Sequence, residues 1–274
     1  FSFFNYPAVK EVKTCVENIL ENNISNVKKY IISDKLWAGH KRRKLNYRKK
    51  GRGFGYGKFS NKSWGKMVPY KIGWFIQEII SPISFSYFFI SGSIENKSFA
   101  WVFFFIWNFH YFNRSIVFPL RQNNSPKMPV FIVLSAITFN LINGFINGFY
   151  LGNIKFYDYN YLINIKFIFG SLIFLIGLII NIKSDNILLK IKNNNEGYQI
   201  PRGFMYNYIS CPNYFGEILE WVGFAIMTWS PPGLIFALWT AFNLGPRAIS
   251  NHKWYKLKFP DYPKNRKALI PFII

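Results

Sequence analysis

From residue 74 onward the chain alternates between long apolar runs and short polar breaks. The runs fall at roughly 74–91, 97–118, 128–151, 162–182, 211–229 and 233–250. Each is near the length an α-helix needs to cross a bilayer core, about 20 residues. The pattern predicts an all-α, polytopic transmembrane bundle of about six spans. The break at Ser230-Pro231-Pro232-Gly233 is so short that the last two spans form a helical hairpin. Residues 1–55 are a basic, polar N-terminal segment, partly disordered by composition. Residues 56–274 form the membrane-embedded domain, with a C-terminal block at 125–274.

Polar residues interrupt the apolar runs in a regular way. Residues four apart share a helix face. Trp74 and Glu78 are so spaced, with Gln77 beside Glu78. His110 and Arg114 follow the same spacing, with Tyr111 next to His110. Asn181, Asp185, Leu188 and Lys192 run at intervals of four, three and four. Asn213, Glu217 and Trp221 form another stripe, and Arg247, Asn251 and Tyr255 a further one. An ionisable side chain at the centre of a span costs about 2.5–3.5 kcal/mol on insertion scales. Glu78, Asp185, Glu217 and Arg247 are therefore expected to face a shared interior. A single such residue would serve as helix glue. Several stripes mixing acid, base, amide and aromatic groups, most of them converging on cytosolic helix ends, point to a large polar ligand with phosphates, such as a nucleotide.

Charge supplies the orientation. Residues 1–71 carry 17 Lys and Arg against 4 Asp and Glu, a net of +13 out of +22 for the chain. The connections near 114–127 and 183–210 and the tail after 250 are basic, and the intervening ones are not. That alternation puts both ends on the cytosolic side. The basic runs at His40–Lys44 and Arg48–Arg52 fit a patch on anionic lipid, and equally a solvated segment. They also match nuclear-import or nucleic-acid patches by composition alone, although a membrane chain gives no reason to expect nucleic acid. The glycines at 51, 53, 55 and 57 do not form a dinucleotide loop. Cys15 and Cys211 make neither a disulfide framework nor a metal site, and no metal is expected.

The residues in and between these stripes carry a resemblance. Ile200-Pro201-Arg202-Gly203, Ser210-Cys211-Pro212-Asn213-Tyr214-Phe215-Gly216-Glu217, Asn243-Leu244-Gly245-Pro246-Arg247 and Asp261-Tyr262-Pro263-Lys264 through Phe272 resemble the steroid 5α-reductase family. Asn181–Asp185, His110-Tyr111-Phe112, Trp74–Glu78 and Tyr56-Gly57-Lys58 extend the match to about residues 55–274. The resemblance implies a seven-helix enzyme of the endoplasmic reticulum that uses NADPH to reduce the C4–C5 double bond of a 3-oxo-Δ4 steroid. It implies that Gln77, Glu78 and Tyr111 hold the substrate's keto oxygen. It implies cofactor contacts at Asn181, Asp185, Lys192, Tyr198, Asn213, Glu217, Arg247, Asn251 and Tyr255. Tyr56, Trp74 and Arg114 fall in the substrate cavity.

That chemistry suits the residue types. Reducing an enone places negative charge on the ketone oxygen. Tyr111 and a protonated Glu78 would donate hydrogen bonds to it, and apolar burial favours the neutral carboxyl. Three departures stand out. The family normally has a further helix before the Tyr56-Gly57-Lys58 piece, where residues 1–55 here are basic and polar: either that helix is lost or the gene model is wrong there. Asn251 stands where the family commonly has His. Lys192 stands for a family Arg, and Gln199 for another Arg that often follows the tyrosine. His110 reads as an orienting or packing residue, and Glu220 as lying outside the site. Rival expectations are a very-long-chain enoyl-CoA or polyprenal reductase, a non-catalytic protein of the same fold, and a membrane methyltransferase.

Overall fold

The computed structural model describes residues 65–92, 99–122, 127–194 and 197–274. The basic segment 1–55 and Tyr56 lie outside the described residues. The remainder is mostly helical. Six principal helices follow one another: α1 (Tyr70–Ile90), α2 (Ala100–Phe112), α3 (Val130–Phe149), α4 (Ile165–Asn193), α5 (Pro212–Thr228) and α6 (Pro231–Lys258). They coincide in order with the six apolar runs. Among the described residues two stretches, Val130–Ile154 (α3 and the π-turn that continues it) and Ile165–Asn193 (α4), are long and apolar enough to cross a membrane. The outward face of α4 exposes Ile168, Phe169, Leu172, Leu175, Ile176 and Ile179, while its inward face buries Gly170, Gly177, Asn181 and Asp185. Apolar residues outside and polar ones inside is the arrangement of a helix whose solvent is lipid.

Two helices outrun their apolar stretches. The hydropathy pattern ends the fourth run near 182, but α4 continues to Asn193; it ends the sixth near 250, but α6 continues to Lys258. Apolar length reports bilayer thickness rather than helix length, and the ladder of backbone hydrogen bonds runs on into the polar region. Those polar extensions carry Asp185, Lys192, Asn251 and Tyr255.

A two-stranded ladder ties the beginning of the bundle together. β1 (Met67–Pro69) pairs antiparallel with β2 (Lys127–Pro129), Val68 opposite Met128. Each strand ends in proline and passes directly into a helix, so α1 and α3 start side by side. They then run parallel in close contact. A Cβ on Gly148 would lie 2.4 Å from the Phe85 carbonyl oxygen, and one on Gly144 would meet Ser81 and Ser84. The α4–α5 pair is antiparallel and equally tight. A Cβ on Gly216 would stand 2.5 Å from the Asn181 backbone nitrogen. Small residues let helix backbones approach where no hydrophobic drive separates them from lipid. Here the approach sets Asn181 and Asp185 of α4 against Asn213 and Glu217 of α5.

The hairpin expected at 230–233 is present. Trp229 closes α5 in the left-handed conformation (φ 44°). Ser230 then caps α6, its Oγ accepting from Gly233 N at 3.2 Å, with Pro231 in the first turn. Proline there loses no hydrogen bond because that N–H has no partner within the helix. The apolar core lies between α1, α2, α5 and α6, around Phe85, Phe103, Trp107, Trp221, Phe224 and Phe236.

Candidate active site

Up-and-down connectivity gathers the polar stripes at one end of the bundle. The start of α1 (Trp74, Gln77, Glu78), the end of α2 (Tyr111, Arg114), the second half of α4 (Asn181, Asp185, Lys192), the start of α5 (Asn213, Glu217) and the second half of α6 (Arg247, Asn251, Tyr255) all lie there. In sequence these residues span 182 positions, from 74 to 255.

Arg114 is the hub. Its Nη1 lies 3.2 Å from Asp185 Oδ2, and its Nη2 lies 3.0 Å from Glu217 Oε2. Its guanidinium sits 5.0 Å from the Trp74 ring and 5.2 Å from Phe118, so one cation is held by two carboxylates and two aromatic faces. Trp74 Nε1 also donates to the Arg114 carbonyl at 2.9 Å. Backbone geometry explains how that carbonyl becomes available. Residues Asn113–Val117 form a π-turn just after α2, ahead of Pro119. A π-turn shifts the hydrogen-bond register and is frequent at functional sites. On sequence alone Arg114 belongs to the substrate cavity, yet both its ionic partners are residues expected to contact cofactor. It stands between the two groups.

The amides complete the α4–α5 side. Asn213 Nδ2 donates to Asp185 Oδ1 at 3.0 Å, and Asn181 Nδ2 donates to the Asn213 carbonyl at 2.9 Å. Lys192, two turns further along α4, donates to Gln122 Oε1 at 2.7 Å and lies 5.2 Å from the Tyr70 ring. Tyr70 stacks on Trp74 at 5.3 Å. A continuous chain of contacts thus runs from Lys192 through Tyr70 and Trp74 to Arg114.

On the α1 side, Gln77 Nε2 donates to Glu78 Oε1 at 2.9 Å. The Gln77 backbone carbonyl accepts from Asn140 of α3 at 2.6 Å. Gln77 Oε1 is buried without a hydrogen-bond partner. Tyr111 is buried; its side chain hydrogen-bonds Ser81, one turn on from Gln77, and its charged neighbours are Glu78, Glu217 and Arg114. Those of Glu78 include Arg114, Gln77 and Glu217. The structure therefore brings Gln77, Glu78 and Tyr111 into the same electrostatic group as the Arg114 hub.

The last stripe divides. Asn251 hydrogen-bonds the Tyr214 side chain, which also interacts with Arg247 and Glu217. Tyr255 stacks on Tyr262, ring centroids 5.4 Å apart. Tyr198 meets Trp254 edge-on at 5.1 Å; burial raises the Tyr198 hydroxyl above the usual tyrosine range. Close by, Arg266 is 3% exposed, donates to the Pro201 carbonyl at 3.1 Å and lies 5.0 Å from the Tyr262 ring.

Sequence reasoning missed Tyr70, Ser81, Gln122, Tyr214 and Arg266 as members of this end. Tyr214 escaped because the stripe on its helix was followed only at spacings of four, through Asn213, Glu217 and Trp221, whereas it shares a face with Glu217 at a spacing of three. Tyr70 shares a face with Trp74 at four, and Ser81 with Gln77, so both were within reach of the same rule. Gln122 sits in a connection and Arg266 in the tail after α6, where spacing carries no such signal.

The family model for 3-oxo-5-alpha-steroid 4-dehydrogenase matches residues 126–274. The chain is 41% identical over 229 residues to the steroid 5-alpha-reductase DET2 of Gossypium hirsutum, covering 80% of this chain and 87% of that protein. It is 41% identical over 228 residues to the Arabidopsis thaliana protein of the same name, with 80% and 87% covered. The 3-oxo-5-alpha-steroid 4-dehydrogenase 1 of Mus musculus is 38% identical over 229 residues, with 81% and 88% covered. With that identity spread over most of both chains, and with the site-bearing helices inside the matched region, this chain belongs to the steroid 5-alpha-reductase (3-oxo-5-alpha-steroid 4-dehydrogenase) family of oxidoreductases acting on CH–CH bonds.

Proposed function

We propose that the chain reduces the C4–C5 double bond of a 3-oxo-Δ4 steroid with NADPH, inside a membrane that it crosses about six times. The observation that carries the reading is the Gln77–Glu78–Tyr111 group at the polar end of the bundle, in which Gln77 Nε2 donates to Glu78 and Glu78 lies within electrostatic reach of the Tyr111 hydroxyl. A neutral carboxyl and a phenol side by side can each donate an O–H to a ligand acceptor such as a ketone oxygen, whereas the unpaired Gln77 Oε1, itself an acceptor, suits a ligand donor.

NADPH fits the residues present. Phosphates call for cations, ribose hydroxyls for carboxylates, and a carboxamide for amides. The second half of the site offers Arg247 and Lys192, Asp185 and Glu217, and Asn181, Asn213 and Asn251, with Tyr198 and Tyr255 beside them. When bound, the cofactor supplies the hydride; the protein supplies position and charge. Tyr111 and a neutral Glu78 donate to the ketone oxygen as its negative charge grows, and Gln77 holds Glu78 in place. Arg114 keeps the carboxylates of Asp185 and Glu217 neutralised next to that oxygen, where an uncompensated anion would oppose the reaction.

The loop-charge alternation supports a cytosolic C-terminus, and the family supports the endoplasmic reticulum. The convergence of cofactor residues at the end of the bundle that carries the basic connections agrees with entry from the cytosol. The test is incubation of membranes expressing the full-length chain with NADPH and a panel of 3-oxo-Δ4 steroids, very-long-chain enoyl-CoAs and polyprenals. The expected product is the saturated 3-oxo steroid. A saturated acyl-CoA or polyprenal with no steroid turnover replaces this reading with the rival one, and no turnover at all favours a non-catalytic role.

A further inference from the structure

Behind Tyr111 lies an ionisable pair that the chemistry above does not use. His110 Nδ1 stands 2.6 Å from Glu220 Oε2. Glu220 is 0% exposed and His110 4%. At that separation a proton must lie between nitrogen and oxygen, whichever group owns it, because two lone pairs would repel. The surroundings are aromatic. The imidazole meets Trp221 at 4.6 Å and Tyr111 at 5.2 Å, both edge-on. Trp221 in turn packs on Trp107 and Phe236. Glu220 Oε1 has no hydrogen-bond partner.

Stability is a poor reason for such a pair. Taking a carboxylate and an imidazole out of water costs several kcal/mol per ion, and apolar residues of similar volume commonly serve as well or better. The cage around the pair would accept them readily. What distinguishes the pair is its place. His110 precedes Tyr111 in the chain and touches its ring. Glu78 feels the charge of His110, and Glu220 feels those of Glu217 and Arg114. The pair thus belongs electrostatically to the reacting end without reaching it.

We infer that Glu220 and His110 are positioning residues for Tyr111: Glu220 fixes the tautomer and tilt of the imidazole, and the imidazole edge holds the Tyr111 ring in its donating orientation. The proton shared between them also keeps Glu220 from adding a full negative charge beside the developing oxyanion. The inference rests on the reductase reading given above, in which Tyr111 donates to the ketone.

Three full-length variants in membranes test it, read by kcat, by KM for NADPH and steroid, and by thermal stability. Glu220→Gln is isosteric and keeps a hydrogen bond; the expected result is an unchanged fold, KM for NADPH within about twofold, and kcat down about tenfold, since a small misplacement of a reacting group costs that much or more. Glu220→Leu strands the imidazole and lowers both stability and kcat. The double change His110→Leu with Glu220→Leu restores the stability of the single leucine variant towards wild type and leaves kcat low. A double variant of wild-type kcat, or Glu220→Gln within about twofold of wild type, overturns the inference and leaves the reductase reading intact. A wild-type chain that reduces none of the three substrate classes overturns both.

Discussion

Arg114 and Glu217 come from helices 103 residues apart in sequence, yet Nη2 and Oε2 lie 3.0 Å apart. The same guanidinium holds Asp185 at 3.2 Å. One cation between two carboxylates compensates a group of acids that would otherwise repel one another. Arg114→Ala leaves both carboxylates without that partner. Breaking a part-buried pair this way is expected to cost on the order of 2 kcal/mol, somewhat less than for a fully buried pair, and to lower the melting temperature in detergent. Arg114→Lys retains the charge but loses the two-pronged geometry, so part of the stability returns while turnover stays low. Thermal unfolding and steroid turnover of the two variants, measured side by side, check this.

Gly216 is where α5 lies against the backbone of α4. Its alanine variant forces a Cβ to within 2.5 Å of the Asn181 nitrogen. The helices must part, and Asn181, Asn213 and Asp185 lose their register. A loss of roughly 2 kcal/mol is expected from overpacking, with NADPH affinity falling along with stability. The control is Gly245→Ala, where nothing lies within 4 Å of an added Cβ; it should keep both affinity and stability.

Asn251 reaches Tyr214 but carries no charge. Asn251→His is expected to tighten NADPH binding, by up to about tenfold if the imidazole is charged and meets a phosphate. Cofactor titration at low and neutral pH reads this directly, with the gain larger at low pH because only the protonated ring is cationic. An affinity that does not change at either pH removes position 251 from the cofactor contacts.

Lys192 donates to Gln122 and lies over Tyr70. Lys192→Met keeps the aliphatic stem and removes the charge. A rise of about five- to tenfold in KM for NADPH with kcat held within about twofold is the expected result, as for a contact made equally in ground and transition states. A fall in kcat with KM constant would instead put Lys192 at the reacting end.

Much of the fold was legible because a bilayer demands long apolar helices and penalises polar groups among them. The six runs and the Ser230–Gly233 break announced the helices and the last hairpin. The stripes were visible for the same reason: Glu78, Asp185 and Glu217 are conspicuous in apolar surroundings. What hydropathy could not show was where helices end, and α4 and α6 continue into polar sequence that carries Asp185, Lys192, Asn251 and Tyr255, four of the nine residues proposed to meet the cofactor. Nor could spacing within one helix reveal partners on another. The Arg114 hub depends on the π-turn at Asn113–Val117 and on the glycine contact between α4 and α5, both products of packing. His110 and Glu220 were each visible in the sequence, but their pairing required two helices to be placed.

The measurement that bears most directly on the account is single-turnover reduction of a 3-oxo-Δ4 steroid by the full-length chain in membranes, wild type against Glu78→Gln, with NADPH binding measured on the same preparations. The account predicts equal NADPH affinity for the two proteins, formation of the saturated 3-oxo steroid by the wild type, and a loss of roughly 100-fold or more in rate for the variant, the scale of removing a donor to a developing oxyanion. Wild-type turnover by Glu78→Gln would contradict it.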